Sequence, residues 1–191
     1  MNSASALLPL VIVAVVVVLP VVWAVATYNS LVALKNHIRD AWANIDTELK
    51  RRYDLIPNLV RTVQAYAAHE RAVLEKVTEL RNRAAGNHGS IASQAEDERH
   101  LVDGVQRLFA LAEGYPDLKA DQNFLQLQHE LVNTEDRLQA ARRFFNGNVR
   151  DYRNKCEQFP SNLIAGMGGF RPESYFEVEP ALREAPPVEL S

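Results

Sequence analysis

The sequence has few of the residues from which common functional sites are built. Its single cysteine, Cys156, excludes an internal disulfide and a zinc site made of cysteines. Eight glycines and nine prolines in 191 residues are too few for a low-complexity chain. The formal net charge of -3 gives no basic excess for binding nucleic acid, so no nucleic-acid partner is expected.

Catalytic motifs are also missing. The glycine-rich phosphate loops, the nucleophile elbow and the H-E-x-x-H zinc motif do not occur. Residues 166–169, Gly-Met-Gly-Gly, follow no predicted strand and do not make a phosphate loop. A di-iron bundle needs two Glu-x-x-His pairs, and the nearest matches, 97–100 and 126–129, are incomplete. We therefore predict no catalytic residue, no metal site, no cofactor and no small-molecule ligand.

Charge is absent before Lys35, and residues 7–26 contain no polar side chain. Twenty helical residues span about 30 Å, the thickness of a bilayer's hydrocarbon core. Pro20 is tolerated in a spanning helix, and Trp23 and Tyr28 are placed to sit at an interface. The run therefore predicts a transmembrane anchor over residues 1–26, with the lipid bilayer as its partner through residues 7–26.

Two other interpretations of this run stay open. Ala24-Val25-Ala26 resembles a signal-peptidase site, although no positive residue precedes the apolar run. A buried core helix is a weaker alternative, because the run is apolar on every side. For a retained anchor, Lys35 and Arg39 after the run favour an N-terminus outside and a cytoplasmic C-terminal domain.

Beyond Tyr28 the apolar residues recur at steps of three and four, which is typical of helices that bury one face. Asp54-Leu55-Ile56-Pro57 is expected to turn the chain between the first two helices. Asp121 is a candidate N-cap of the last helix, and no run alternates with period two. The pattern predicts an all-α, antiparallel four-helix bundle with 3-4 ridge packing, as in coiled coils. Its stripes run from Leu31 to Leu49, from Leu59 to Leu80, over 91–114, and from Phe124 to Phe159.

The C-terminal segment has a different composition, rich in proline, glycine and glutamate. Its aromatics, Phe170, Tyr175 and Phe176, predict a strap packed on the bundle. The domain therefore extends over residues 27–178, and residues 179–191 are predicted to be a mobile acidic tail.

Polar residues lie among apolar ones near the first predicted turn and along the last helix. One interpretation is a structural network that joins the helices through charge-assisted hydrogen bonds, since buried polar groups need partners. The other is a polar docking surface for a partner. The candidates are Arg51, Arg52, Asp54, Asn58, Asn123, Gln128, Glu135 and Arg142.

Several segments together resemble the LemA family of bacterial membrane-anchored helical proteins. The most specific is residues 51–60, Arg-Arg-Tyr-Asp-Leu-Ile-Pro-Asn-Leu-Val. The resemblance extends from about residue 20 to the end of the chain, and residues 82–95 depart from it. The other segments that carry it are 28–32, 112–120, 124–128, 159–163, 169–172 and 175–177.

The resemblance implies an N-terminal anchor in the bacterial inner membrane and a long, bromodomain-like four-helix bundle. It implies no reaction and supplies no catalytic residue, although family members are associated with membranes and in places with membrane-bound proteases or organelle biogenesis. We therefore expect a single-pass, non-enzymatic interaction or scaffold module with a membrane-protein partner. The alternatives are a metal-dependent or hydrolytic enzyme that uses the polar network, and an exported soluble binding protein released by signal cleavage.

Overall fold

The computed structural model describes residues 3–178, with side chains from Ala14 onward, and every regular element in this part of the chain is helical. The predicted mobile tail, 179–191, lies outside the described residues. Contacts group the described residues into two units, one made of 3–41 and 146–173 and the other of 42–145 and 174–178. The helices are α1 (Ser3–Tyr66), α2 (Arg71–Gly86), α3 (Ile91–Ala112), α4 (Pro116–Ala120), α5 (Gln122–Glu157) and α6 (Ser161–Met167).

The second unit contains the predicted antiparallel four-helix bundle. Near one end Tyr66 on α1 donates a hydrogen bond to Asp121, which immediately precedes α5, at 2.9 Å. About four turns of helix away along both helices, Arg52 on α1 pairs with Glu135 on α5, so these two helices are antiparallel. Short connections make α2 and α3 run in alternate directions beside them.

The apolar stripes form the core of the bundle, as the sequence predicts. The buried side chains repeat at helical spacing on each of the four long helices, which removes one face of each from water. They include Leu49, Ile56, Leu59 and Val63 on α1, Leu74 and Val77 on α2, Leu101 and Leu108 on α3, and Phe124, Leu131, Leu138 and Phe145 on α5.

The turn predicted at residues 54–57 is wrong. Helix α1 continues through Pro57 and ends at Tyr66, and the chain reverses over residues 67–70. The helix continues because Ile56 and Leu59 extend its buried stripe on either side of the proline, and Pro57 itself faces solvent. Burial of that stripe therefore overrides the ordinary tendency of proline to end a helix.

The ends of α5 agree with the sequence pattern. The Asp121 carboxylate accepts a hydrogen bond from the backbone N–H of Phe124 at 2.9 Å, which is the predicted N-cap. The helix ends at Glu157, shortly before Pro160.

The predicted strap is partly helical. It contains α6 and then extended chain, in which Phe176 is buried with its ring centroid 5.3 Å from that of Trp42. The aromatic anchoring of the strap is thus confirmed, whereas the short helix was not predicted.

The first unit consists of the N-terminal part of α1, the last three turns of α5, and α6. The side-chain amide of Asn148 reaches the backbone carbonyl of His37 at 3.4 Å. Farther back along α1, Tyr28 stacks edge-on against Phe170 with ring centroids 5.3 Å apart. The chain from α5 through α6 therefore runs beside α1 toward its apolar N-terminal segment.

Candidate ionic cluster of the bundle

An ionic cluster lies inside the second unit and joins three helices. Arg52 on α1 donates from Nη1 to Glu98 Oε2 on α3 at 2.8 Å, and from Nη2 to Glu135 on α5. Arg142, two turns farther along α5, donates to the other oxygen of Glu135 at 2.6 Å. The side chains of Arg52 and Glu98 are only 6% and 1% exposed, so this pair is almost entirely removed from water.

Two neutral side chains complete the cluster at Glu98. The Tyr53 hydroxyl donates to Glu98 Oε1. Gln94 Nε2 lies 3.0 Å from that hydroxyl oxygen, 3.2 Å from Glu98 Oε1 and 3.1 Å from the carbonyl oxygen of Ala84. The side-chain amide of Gln94 therefore donates hydrogen bonds among these three oxygen atoms. Both oxygens of Glu98 therefore have donors, as a buried carboxylate requires.

The cluster has two positive and two negative side chains, so its formal charge is zero. Burial is the main cause that raises the pKa of Tyr53, and the neighbouring Glu98 carboxylate raises it further. Burial likewise lowers the pKa of Arg142, against the opposing attraction of Glu135. Tyr53 therefore remains a neutral donor throughout the physiological pH range.

A second contact explains how the helix accommodates Pro57. Proline has no N–H, so the carbonyl of Tyr53, four residues earlier, has no intrahelical donor. Arg81 on α2 supplies one, with Nε 2.9 Å from that carbonyl oxygen. The backbone group freed by Pro57 thus becomes a contact between α1 and α2.

The structure brings together three of the eight residues that the sequence predicts for the polar network. Arg52, Glu135 and Arg142 meet in the cluster. Arg51, Asp54, Asn58 and Asn123 are exposed and Gln128 is half-buried. Of these, Asn58 bonds Arg61 on its own helix.

Sequence reasoning missed Tyr53, Gln94 and Glu98. Their position in the helical repeat could have revealed Gln94 and Glu98. Both continue the α3 stripe of Leu101 and Leu108 toward the N-terminus at helical spacing. Polar residues at apolar positions of a stripe are expected to enter a core. The charged sequence 96–99 reads locally as a solvated helix face and hides this signal.

The cluster has few free ligand atoms for chemistry. In residues 14–178, no group of three or more histidine, cysteine, aspartate and glutamate side chains is arranged to hold a metal ion.

A shallow groove of about 300 Å³ lies elsewhere, between α2 and α3. It carries Lys76, His100, Asp103 and Arg107 above an apolar floor.

The apolar part of α1 is long enough and hydrophobic enough to cross a bilayer. Its described valines are exposed, with no apolar core around them. Charged side chains begin only at Lys35, several residues beyond this part. Length, composition and exposure together indicate membrane anchoring through the N-terminal part of α1.

Known proteins are similar to this chain over most of its length. The magnetosome protein MamQ 2 of Paramagnetospirillum magneticum is 26% identical over 196 residues, which cover 87% of this chain and 72% of that protein. The magnetosome protein MamQ of Magnetospirillum gryphiswaldense is 26% identical, covering 81% of this chain and 66% of its own length. Protein LemA of Metamycoplasma hominis is 27% identical, covering 72% and 63%.

The sequence profile of the LemA family matches residues 41–190, which include the whole of the bundle and the ionic cluster. The match accounts for most of the chain and agrees with the resemblance carried by residues 51–60. The chain belongs to the LemA family.

Proposed function

We propose that this protein is a single-pass, non-enzymatic interaction module, held at the bacterial inner membrane by α1 with its bundle in the cytoplasm. The observation that carries the proposal is the closed ionic cluster of the bundle. The charged side chains of the cluster bind one another. Arg52 lies on α1, the same helix that contains the apolar anchor.

The state of the two carboxylates supports a structural rather than catalytic cluster. A general base needs a lone pair within reach of a substrate. Glu98 is enclosed and has donors on both oxygens, and each oxygen of Glu135 accepts from an arginine. Using either group in a reaction requires breaking an ion pair, which is buried at Glu98 and partly buried at Glu135.

The charge distribution supports the proposed orientation. The first cations after the anchor are Lys35 and Arg39, and no lysine or arginine precedes it. Cytoplasmic flanks of membrane helices carry the excess of lysine and arginine. A cytoplasmic bundle can meet both soluble proteins and the cytoplasmic faces of other membrane proteins.

Proximity labelling tests the proposal. The full-length chain carries a peroxidase at its C-terminus in a bacterial host, and the labelled proteins are identified by mass spectrometry. Two controls are the peroxidase on residues 1–40 alone, which keep the positive flank of Lys35 and Arg39, and on the chain without residues 1–26. We expect a small set of membrane-protein neighbours labelled only by the full-length fusion, since both anchor and bundle are needed to find them.

Two outcomes contradict the proposal. Identical labelling by the full-length fusion and by the anchor alone means that the bundle recognises no neighbour. Stoichiometric iron, manganese or zinc in full-length protein after gentle purification, together with turnover of a substrate, supports the enzymatic alternative. Intact mass of the mature chain separately tests whether residues 1–26 are retained.

A further inference from the structure

Helix α6 and the residue before the preceding proline expose large apolar side chains. Phe159 is 80% exposed, Leu163 56% and Met167 87%. Leu163 and Met167 are four residues apart in α6 and share one side of it. We call these three residues the C-terminal apolar face. The opposite side of α6 is buried, through Ser161 and Ala165, so the helix is held in place with this face outward.

The position of α6 along α1 identifies what the face meets. Ile164, Met167 and Gly168 line an apolar crevice of about 320 Å³. Its other wall is made of Ala24, Val25 and Tyr28. Two of these are in the last turn of the twenty-residue apolar run, so α6 lies at the depth where that run ends.

The C-terminus of α6 fixes this arrangement. Gly169 has φ +69°, a conformation that favours glycine. The N–H of Phe170 bonds the carbonyl of Ala165 at 3.0 Å and that of Gly169 bonds Gly166 at 3.3 Å, the two bonds of a Schellman motif. The reversal brings the Phe170 ring over Gly168, where an added Cβ would lie 2.6 Å from a ring carbon, and against Tyr28.

The composition of α6 suits an apolar boundary. Its sequence, Ser-Asn-Leu-Ile-Ala-Gly-Met, contains no ionisable side chain, so it can enter the edge of a bilayer without removing a charge from water. Trp23 and Tyr28 on α1 are exposed aromatics of the kind enriched at membrane interfaces. The exposed valines of α1 are followed directly by the exposed Met167 of α6, which lines the same crevice as Val25.

We propose that the C-terminal apolar face inserts into the boundary between lipid headgroups and acyl chains, as a second membrane contact beside α1. The occupant of the face and of the crevice is the phospholipid bilayer itself, which contributes acyl-chain segments. This inference rests on the proposed anchoring of α1 in the membrane. The continuity of exposed apolar surface from the valines of α1 to Met167 selects the bilayer over a protein partner.

Depth-dependent fluorescence quenching on full-length protein in vesicles of phosphatidylcholine and phosphatidylglycerol tests this proposal. Single-cysteine variants on a Cys156→Ser background carry an environment-sensitive fluorophore at Met167→Cys. The matched control is Asn36→Cys, an exposed position on α1 ten residues beyond the apolar run. We expect a blue-shifted emission at position 167, and several-fold stronger quenching by lipids spin-labelled near the top of the acyl chain than at position 36.

A third label at Val16→Cys, within the apolar run, separates this proposal from the anchoring on which it rests. Strong quenching at position 16 together with water-like emission at 167 overturns the bilayer contact of α6 and leaves the anchor intact. Water-like emission at both positions overturns the anchoring and the contact together. A label at Leu163→Cys gives a second measurement on α6. Its emission and quenching should agree with those at position 167.

Discussion

At the scale of single residues, the bundle depends on Arg52, which forms ion pairs with carboxylates on two other helices. Arg51 precedes it on the same helix and faces solvent. The two arginines are chemically identical and differ only in what surrounds them. They therefore form a matched pair for measuring what burial of an ion pair does to stability.

Replacing Arg52 with Met should lower the free energy of unfolding by about 3–5 kcal/mol, because Glu98 is left as a buried charge without its cation. Replacing Arg51 with Met should change it by less than about 0.5 kcal/mol, as usual for a surface site. Chemical unfolding of the full-length protein in mild detergent, followed by circular dichroism, measures both. Equal effects would show that the cluster does not hold the bundle together. The double variant Arg52→Met with Glu98→Gln should lose less than the sum of its single variants.

The raised pKa of Tyr53 gives a pH dependence with a definite sign. The folded protein keeps the phenolic proton at pH values where the unfolded chain, with an ordinary pKa of 10.0, loses it. The contribution of Tyr53 is therefore complete below pH 10 and is lost as the pH rises above it. Tyr53→Phe should lower stability at neutral pH by about 1–3 kcal/mol, because Glu98 loses a donor.

The dependence of stability on pH above pH 10 separates the effect of the Tyr53 ionisation from the loss of packing in Tyr53→Phe. Between about pH 10 and 11.5 the stability of Tyr53→Phe should fall less steeply than that of the parent protein, because the variant lacks one tyrosine whose pKa is raised by folding. The remaining slope comes from other tyrosines with raised pKa. One of them is Tyr152, whose pKa is raised mainly by burial. Parallel alkaline slopes in the two proteins would contradict the role given to Tyr53.

At the scale of helices, the sequence predicted which residues are buried better than where each helix ends. The stripe on α1 is set by local spacing, so its buried side is readable from the sequence alone. Pro57 is a local signal for a boundary, but the donor that makes it tolerable, Arg81, is 28 residues away from Tyr53 in sequence. Tertiary contacts of this kind are invisible to a pattern read along the chain.

The contact between Arg81 and the Tyr53 carbonyl predicts a coupling with Pro57. Arg81→Met should destabilise the parent protein by about 1 kcal/mol, because the carbonyl loses its only side-chain donor in the described structure. In a Pro57→Ala background the alanine N–H can bond that carbonyl, so the same change should have little effect. The double-mutant cycle is measured by urea unfolding. Additive effects would mean that Arg81 stabilises the protein for another reason.

The same distinction between local and distant information applies to the candidate site. Arg52, Glu135 and Arg142 were predicted as polar residues interleaved with the apolar stripes near the first predicted turn and along the last helix. Glu98 was not predicted, although it continues the stripe of α3, because all four residues from 96 to 99 are charged. Arg51, Asp54 and Asn58 share the sequence neighbourhood of Arg52 yet face water, since helical geometry turns successive residues about 100° apart. Which of several adjacent polar residues enters the core depends on the helix phase.

At the scale of the whole molecule, the proposed orientation predicts the behaviour of two C-terminal reporters in a bacterial host. Alkaline phosphatase should be inactive and green fluorescent protein fluorescent, because the C-terminus is cytoplasmic in the proposal. Lys35→Asn with Arg39→Asn should raise phosphatase activity, since it removes the nearest positive flank. High phosphatase activity in the unaltered chain would reverse the orientation.

The distance in sequence between the members of the ionic cluster also has a consequence in time. Arg52 is synthesised 46 residues before Glu98 and 83 before Glu135. At 5–20 residues per second, roughly 4–17 s pass between translation of Arg52 and of Glu135. During that interval the first helix already has its apolar segment, while its buried arginine has no complete set of partners. The bundle is therefore completed only when its last long helix is made, and nascent chains that stop before α5 should remain sensitive to proteases.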